Sequence, residues 1–311
     1  MSSGVNSSDW NGRREPCQDR DRRALPPLQR PCRPSISQWA RVTALIGCLA
    51  ASPALAAGEL PQAVKASGVV HISVNAIYPP MEYKDPQSNA LIGVDIDLGE
   101  ALAKRLGVKL DWQESAFEQL IPSLQTGRAD LILSGLSDLA ARRESMDFID
   151  YLKSGAQFYG LSASPLAKQE DLCGKKVGTS RSTSFPAEIR KWSAEHCEAA
   201  GKPAIDVVSA ESTADARAQL KQGRIDAAVQ GAETVPYMMS LEAGAFKPIG
   251  QPFTVAYQGI AFKKSDAAFR DAVADALEAL IKDGSYQAIL AKWHLPNTAV
   301  PGIIVNGEPR R

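Results

Sequence analysis

The residues able to do chemistry gather at turns behind short apolar runs. Ser180-Arg181-Ser182-Thr183-Ser184 sets four hydroxyls directly ahead of a helical stretch, Ser184 to Ala199. Free N–H groups and the dipole at a helix start make such a place favourable for an anion. Plain N-capping by Ser182 or Thr183 is the alternative, and the two roles can coexist. Two further turns put a glycine behind a polar residue, Ser134-Gly135 and Gln230-Gly231. No His-Glu-x-x-His zinc helix, Gly-x-x-x-x-Gly-Lys phosphate loop or Gly-x-Ser-x-Gly elbow occurs, and His71, His196 and His294 stand far apart. No catalytic residue, metal or cofactor is therefore expected.

Those turns are positioned by alternating strand and helix patterns. Val69 to Val74 reads as a strand, and Asp95 to Leu106 as a helix with Leu98, Leu102 and Leu106 on one face. Val108 to Trp112 is the next strand, Phe117 to Gln125 a helix closed by Gly127, and Leu131 to Ser134 a buried strand. The series then repeats over Lys176–Thr179, Ser184–Ala199, Ile205–Val208, Thr213–Gln222 and Ala227–Gln230. Leu-Gln-Thr-Gly-Arg-Ala-Asp-Leu-Ile-Leu-Ser-Gly at 124–135 is echoed by Leu-Lys-Gln-Gly-Arg-Ile-Asp-Ala-Ala-Val-Gln-Gly at 220–231.

A βαβαβ unit occurring twice predicts an α/β fold of two lobes, each a mostly parallel sheet flanked by helices. Ligands bind beyond the carboxyl ends of such strands, so Ser134-Gly135 and Gln230-Gly231 are expected to face one cleft. The stretches 154–163 and 256–264 suit two extended crossings, a hinge on which the lobes close. The helical stretch Ala267 to Trp293 then returns to the first lobe. The expected divisions are 1–57, an N-terminal extension with a cleaved signal; 58–156 with 260–295, lobe 1; 157–259, lobe 2; and 296–311, a poorly ordered tail.

The chain has 311 residues with 35 basic and 35 acidic side chains, but residues 1–57 hold eight arginines against four acids. The acidic remainder has no electrostatic reason to bind nucleic acid or an anionic membrane. Arg41 precedes the apolar run Val42 to Ala51, Ser52-Pro53 break it, and Ala54-Leu55-Ala56 offers small residues for cleavage. This pattern predicts export to the periplasm. A lipid-anchor reading of Leu45-Ile46-Gly47-Cys48 is the alternative, although few apolar residues precede it. Export would leave Cys173 and Cys197 as an even pair in an oxidising compartment, where a disulfide is expected and two free buried thiols are the alternative.

Six blocks in order carry a resemblance. They are Tyr78-Pro79-Pro80-Met81-Glu82-Tyr83, Gly93-Val94-Asp95-Ile96-Asp97-Leu98, Phe117 to Gly127, Gly135-Leu136-Ser137 with Arg142-Arg143, Asp147-Phe148, and Asp171 to Gly178. Over about 60–295 the chain resembles bacterial solute-binding family 3, the polar amino-acid-binding proteins of ABC import systems. The resemblance implies the type II periplasmic-binding-protein fold, a small-molecule ligand in the inter-lobe cleft and a membrane permease as partner. It also implies a monomer. By this likeness Arg142 matches the carboxylate-binding arginine, and Arg143 is a surface residue. Ser134 offers a carbonyl, Ser137 a hydroxyl and an amide, and Tyr78 and Phe117 wall the side-chain pocket. The family places an ammonium-binding aspartate where this chain has Gly231. Glu233 has the reach to replace it; the alternative is an acid or amide ligand without an α-ammonium.

Two other activities suit the same fold. One is an enzyme like cyclohexadienyl dehydratase, whose Glu-Thr pair Glu233-Thr234 resembles with the glutamate one residue early. The other is a soluble sensor for a membrane receptor.

Overall fold

The computed structural model describes residues 58–310, so the expected export signal, with Cys17, Cys32 and Cys48, lies outside the described residues. Short apolar runs become strands, of which Met146–Ser154 and Ala227–Gly231 are buried on both faces. The larger sheet has seven strands in the order Glu308–Pro309, Ile304–Val305, Met146–Ser154, Ala256–Lys263, Leu131–Ile132, Val69–Val74, Lys109–Glu114. The smaller has five: Asp206–Ala210, Lys176–Ser180, Ala227–Gly231, Ala156–Leu161, Phe246–Pro248. A third, small sheet joins Ile77–Tyr78, Glu82–Lys84 and Leu91–Ile92.

The sequence echo is an echo of pairing. In the larger sheet Val69–Val74 lies parallel between Lys109–Glu114 and Leu131–Ile132. In the smaller, Lys176–Ser180 lies parallel between Asp206–Ala210 and Ala227–Gly231. Each trio is then flanked by an antiparallel strand, Ala256–Lys263 in one and Ala156–Leu161 in the other. The repeated aspartate explains why the echo is so close. Asp130 accepts the His71 N–H at 2.8 Å, and Asp226 accepts the Lys176 N–H at 2.8 Å. Each thus satisfies a backbone amide of its lobe's central strand, the third residue of one and the first of the other.

Helix Val94–Leu106 buries Val94, Leu98 and Leu102, one face at four-residue spacing. Asp95 and Asp97 open it, Lys104 and Arg105 close it in accord with the dipole, and Gly107 stops it at φ +71°. Helix Ala267–Lys282 packs Phe269, Val273, Leu277 and Leu280 into the same core, which also takes Tyr151, Phe262 and Tyr286. The smaller sheet is covered by Phe185, Ile189 and Trp192 on one face, and by Ala216, Leu220 and Met238 on the other. Among the described residues no helix is long and apolar enough to cross a membrane.

Chain passes between the sheets in two places. Gly155 alone separates the strands Met146–Ser154 and Ala156–Leu161, and a Cβ there would collide with the Thr254 carbonyl of the returning segment. Ala256 pairs with Ser154 directly beside it. The stretch expected to be a tail is ordered instead. Ile304–Val305 adds to Met146–Ser154, and Glu308–Pro309 folds back on it. Asn306 (φ 53°) and Gly307 (φ 78°) make the turn, Asn306 Oδ1 accepts the Phe148 N–H at 2.8 Å, and Val300 and Ile304 are buried.

Cys173 and Cys197 form a disulfide across 24 residues, with Cys197 buried against the smaller sheet's core. Replacing both cysteines by serine is expected to cost about 3 kcal/mol, the chain-entropy value for a loop of this size. The readout is the urea midpoint of the mature protein, and an unmoved midpoint would show that the bridge contributes nothing.

Candidate functional site

A cavity of about 220 Å³ opens where the carboxyl ends of the two parallel trios meet. From the first-lobe side it is lined by Tyr78, by Phe117 at the first turn of helix Phe117–Thr126, by Gly135 and Ser137 beyond strand Leu131–Ile132, and by Arg142 in the short helix Ala140–Arg143. From the other side come Ser180, Ser182, Thr183 and Ser184, leading into helix Phe185–His196. Thr183 Oγ1 donates to the Ser180 carbonyl at 2.8 Å and accepts from the Phe185 N–H at 3.3 Å, so it rather than Ser182 steadies the helix start.

Arg142 is half-buried, and among the described residues it makes no salt bridge. One nitrogen, Nη1, donates to the Ser137 carbonyl at 2.7 Å. Burial pulls its pKa down, against the pull of Glu188 and Asp138 in the other direction. A guanidinium stays charged in any such setting, so the cavity contains a cation short of an anion. Arg143, expected as a surface residue, is partly exposed and lies off the cavity, but it is engaged. Its Nε holds the buried Asp138 at 2.6 Å.

Three expected ligand residues do not reach the cavity surface. Ser134 is buried, donating its hydroxyl to Glu82 at 2.8 Å and accepting the Asn75 N–H at 2.9 Å. Gln230 is buried against Met238. Glu233 is 3% exposed, and its carboxylate is engaged by the protein itself. Oε1 accepts from Tyr78 Oη at 2.9 Å and from Gln258 Nε2 at 2.7 Å, while Oε2 accepts from Ser154 Oγ. Burial raises its pKa, and these three bonds oppose the rise. The Gly231 N–H also donates to Tyr78 Oη, at 3.1 Å. A Cβ at Gly231 would collide with both the Glu233 carboxylate and the Tyr78 hydroxyl. Glu233 therefore fills the space that a side chain at 231 would take.

Several lining residues escaped sequence reasoning, among them Asn75, Glu82, Glu118, Glu188 and Gln258. Glu82 had a signal: it sits within the quoted Tyr78–Tyr83 block, and the short hairpin pairs it with Tyr78. Its carboxyl is pushed well up by burial and by Asp95 beside it. Asp95, which accepts from Tyr151 Oη at 2.7 Å and the Gly135 N–H at 2.8 Å, is pushed up by burial to about 7. A second buried acid pair lies behind the arginines. Burial and the adjacent Asp138 push Asp150 up to about 8.

Against known proteins, the sequence profile of bacterial extracellular solute-binding proteins, family 3, matches residues 70–296. A protein of Corynebacterium glutamicum named as arginine-binding is 32% identical over 253 residues, which are 80% of this chain and 82% of the relative. An ancestral arginine-binding protein solved with arginine superposes with TM-score 0.66 at 29% identity, over 73% of this chain and 98% of that one. An ancestral amino-acid-binding protein described as a precursor of cyclohexadienyl dehydratase gives TM-score 0.66 at 27% identity, over 74% of this chain and 97% of that one.

The buried acids set a pH dependence. Asp95 and Asp150 start from an ordinary value of 3.8 and rise to about 7 and about 8 in the fold. Between those limits the fold keeps protons that the unfolded chain has lost, so raising the pH favours unfolding. Asp85 and Asp171, whose pKa values are lowered, act the other way only at more acid pH. The unliganded protein is expected to melt at steadily lower temperature as pH climbs from about 4.5 to about 8. A melting temperature that rises over that interval would contradict the burial of these carboxyls.

Proposed function

The chain belongs to the bacterial extracellular solute-binding proteins of family 3, and we propose that it captures a free amino acid between its two sheets and presents it to the membrane permease of an ABC importer. The observation that carries this reading is Arg142, a guanidinium on the cavity wall with no salt bridge among the described residues. A ligand carboxylate would complete it through two parallel charge-assisted hydrogen bonds. Ser137 and the 180–184 turn stand beside it with hydroxyls and a helix start suited to the same anion. Tyr78 and Phe117 offer ring surfaces for the aliphatic part of the side chain.

A basic amino acid suits the cavity best. Glu118, Glu188 and Glu211 line it, against Arg142 as the one lining cation among the described residues. The names of the relatives, arginine-binding proteins, favour the same class. Binding would proceed by docking on the first-lobe residues, followed by closure of the second lobe across the two adjacent crossings. Closure expels water and strengthens the buried charge pairs. The protein would act outside the cytoplasmic membrane, delivered by the 41–57 signal, as a soluble monomer.

An enzyme of the dehydratase type is the second reading, favoured by a buried glutamate of raised pKa beside Thr234. It requires Glu233 to reach a substrate, and that carboxylate is behind Tyr78, Ser154 and Gln258. Incubation with prephenate and detection of an aromatic product distinguishes it.

Calorimetric titration with arginine, lysine, ornithine and neutral amino acids tests the proposal. Arg142→Ala is expected to weaken a bound amino acid by more than about a hundredfold, since a desolvated charge pair typically contributes several kcal/mol. Arg142→Lys should fall between, keeping the charge without the two-pronged geometry. Unchanged affinity in Arg142→Ala would remove this residue from the site.

A further inference from the structure

Gln258, in strand Ala256–Lys263, stands on the cavity wall and is 3% exposed. Its Nε2 donates to Glu233 Oε1 at 2.7 Å, which decides the way the amide faces, because a carboxylate can only accept. The other end of the amide, Oε1, is buried with no hydrogen-bond partner among the described residues. Buried acceptors are almost always satisfied, so an orphan at a cavity wall points to a donor arriving from outside the chain.

The orphan has a definite relation to Arg142. Ser137 and Gln258 pair as a β-bridge, and the Ser137 carbonyl is the one that holds Arg142 Nη1 at 2.7 Å. Arg142 and Gln258 are thus the two neighbours of a single residue. The carboxylate and ammonium of an α-amino acid hang from a single carbon, so their receptors must be close together. Negative charge is also at hand. Glu233 cannot itself line the cavity, but it is one amide away, and water-excluded surroundings lengthen the reach of its charge.

We propose that Gln258 receives the α-ammonium of the bound amino acid on Oε1, with the buried Glu233 carboxylate behind the same amide supplying the charge. The assignment rests on the reading of the cavity as an amino-acid site. It explains why Gly231 needs no side chain, since the charge enters from residue 233 through the amide of residue 258. The raised pKa of Glu233 in the empty cavity fits, because an arriving cation would favour its ionised form.

The test compares arginine with 5-guanidinopentanoate, which keeps the carboxylate and guanidinium and lacks the α-ammonium. Wild-type protein is titrated first and is expected to prefer arginine. Gln258→Met, close in shape and without the amide, should weaken arginine by roughly tenfold or more and leave the des-amino ligand within about twofold. Glu233→Gln retains an oxygen for Tyr78 and removes the charge; it should shift the same ratio in the same direction, and it serves if Gln258→Met fails to fold. Equal loss of both ligands in the folded variants would reduce Gln258 to a packing role and overturn the proposal, as would a wild-type protein that binds the two ligands equally. A wild-type protein that binds no amino acid would overturn the amino-acid reading itself, and this assignment with it.

Discussion

A carboxylate taken out of water keeps its charge only where donors surround it, and removing one donor leaves a costly remainder. Glu233 draws its donors from Tyr78 in the first lobe and from Ser154 and Gln258 on the two crossings, while the glutamate itself belongs to the second lobe. Both lobes and both crossings therefore meet at one side chain. Tyr78 is held twice over, since the Gly231 N–H also reaches its hydroxyl. The ring that walls the cavity is positioned by bonds formed across the lobes, so the shape of the cavity and the approach of the lobes are a single property.

The division of labour between neighbouring residues follows from the same economy of charge. Of two adjacent arginines, Arg143 neutralises the buried Asp138, and Arg142 is left without a salt bridge among the described residues. Of the buried acids, Glu233 is fully engaged by protein donors, whereas Glu82 and Asp95 share a crowded space that raises both. Among the described residues, Arg142 without an ion pair and the Gln258 amide oxygen without a donor are thus left unmatched on the cavity wall. Such unmatched groups cost stability in the empty protein and become favourable only with a ligand in place.

Much of this was legible in the residues. The repeat at 124–135 and 220–231 predicted two similar lobes because it encodes a backbone need, an aspartate that accepts from an amide of each sheet's central strand. Nine of the twelve expected ligand residues, Arg142 and the 180–184 turn among them, line one cavity. What was hidden depends on contacts distant in sequence. Gln258 reads as an ordinary residue of a β-rich stretch, and only its bond to Glu233 and its bridge to Ser137 give it meaning. Glu233 was singled out for its reach toward position 231; that it would be enclosed by Ser154 and Gln258 could not be read from spacing. The ordered C-terminus, by contrast, had a signal that was passed over. Asn306-Gly307 is the residue pair favoured where both central residues of a tight hairpin take positive φ, as both do here.

That hairpin also bears on the cavity. Gly307 packs where a Cβ would collide with the Arg143 guanidinium, and its N–H donates to Asp150 at 3.0 Å. Asp150 neighbours Asp138, the partner of Arg143, and the Asp138 N–H is bonded to Tyr257, one residue before Gln258. A glycine at the far end of the chain is thereby packed into the same cluster that keeps Arg143 occupied and the crossing strand in register. If Arg143 were released from Asp138, two guanidinium groups and one unpaired carboxylate would compete behind the cavity wall, and Arg142 would no longer be the cation without a partner. The edge strand added by the last residues is in this sense part of how the cavity keeps its charge.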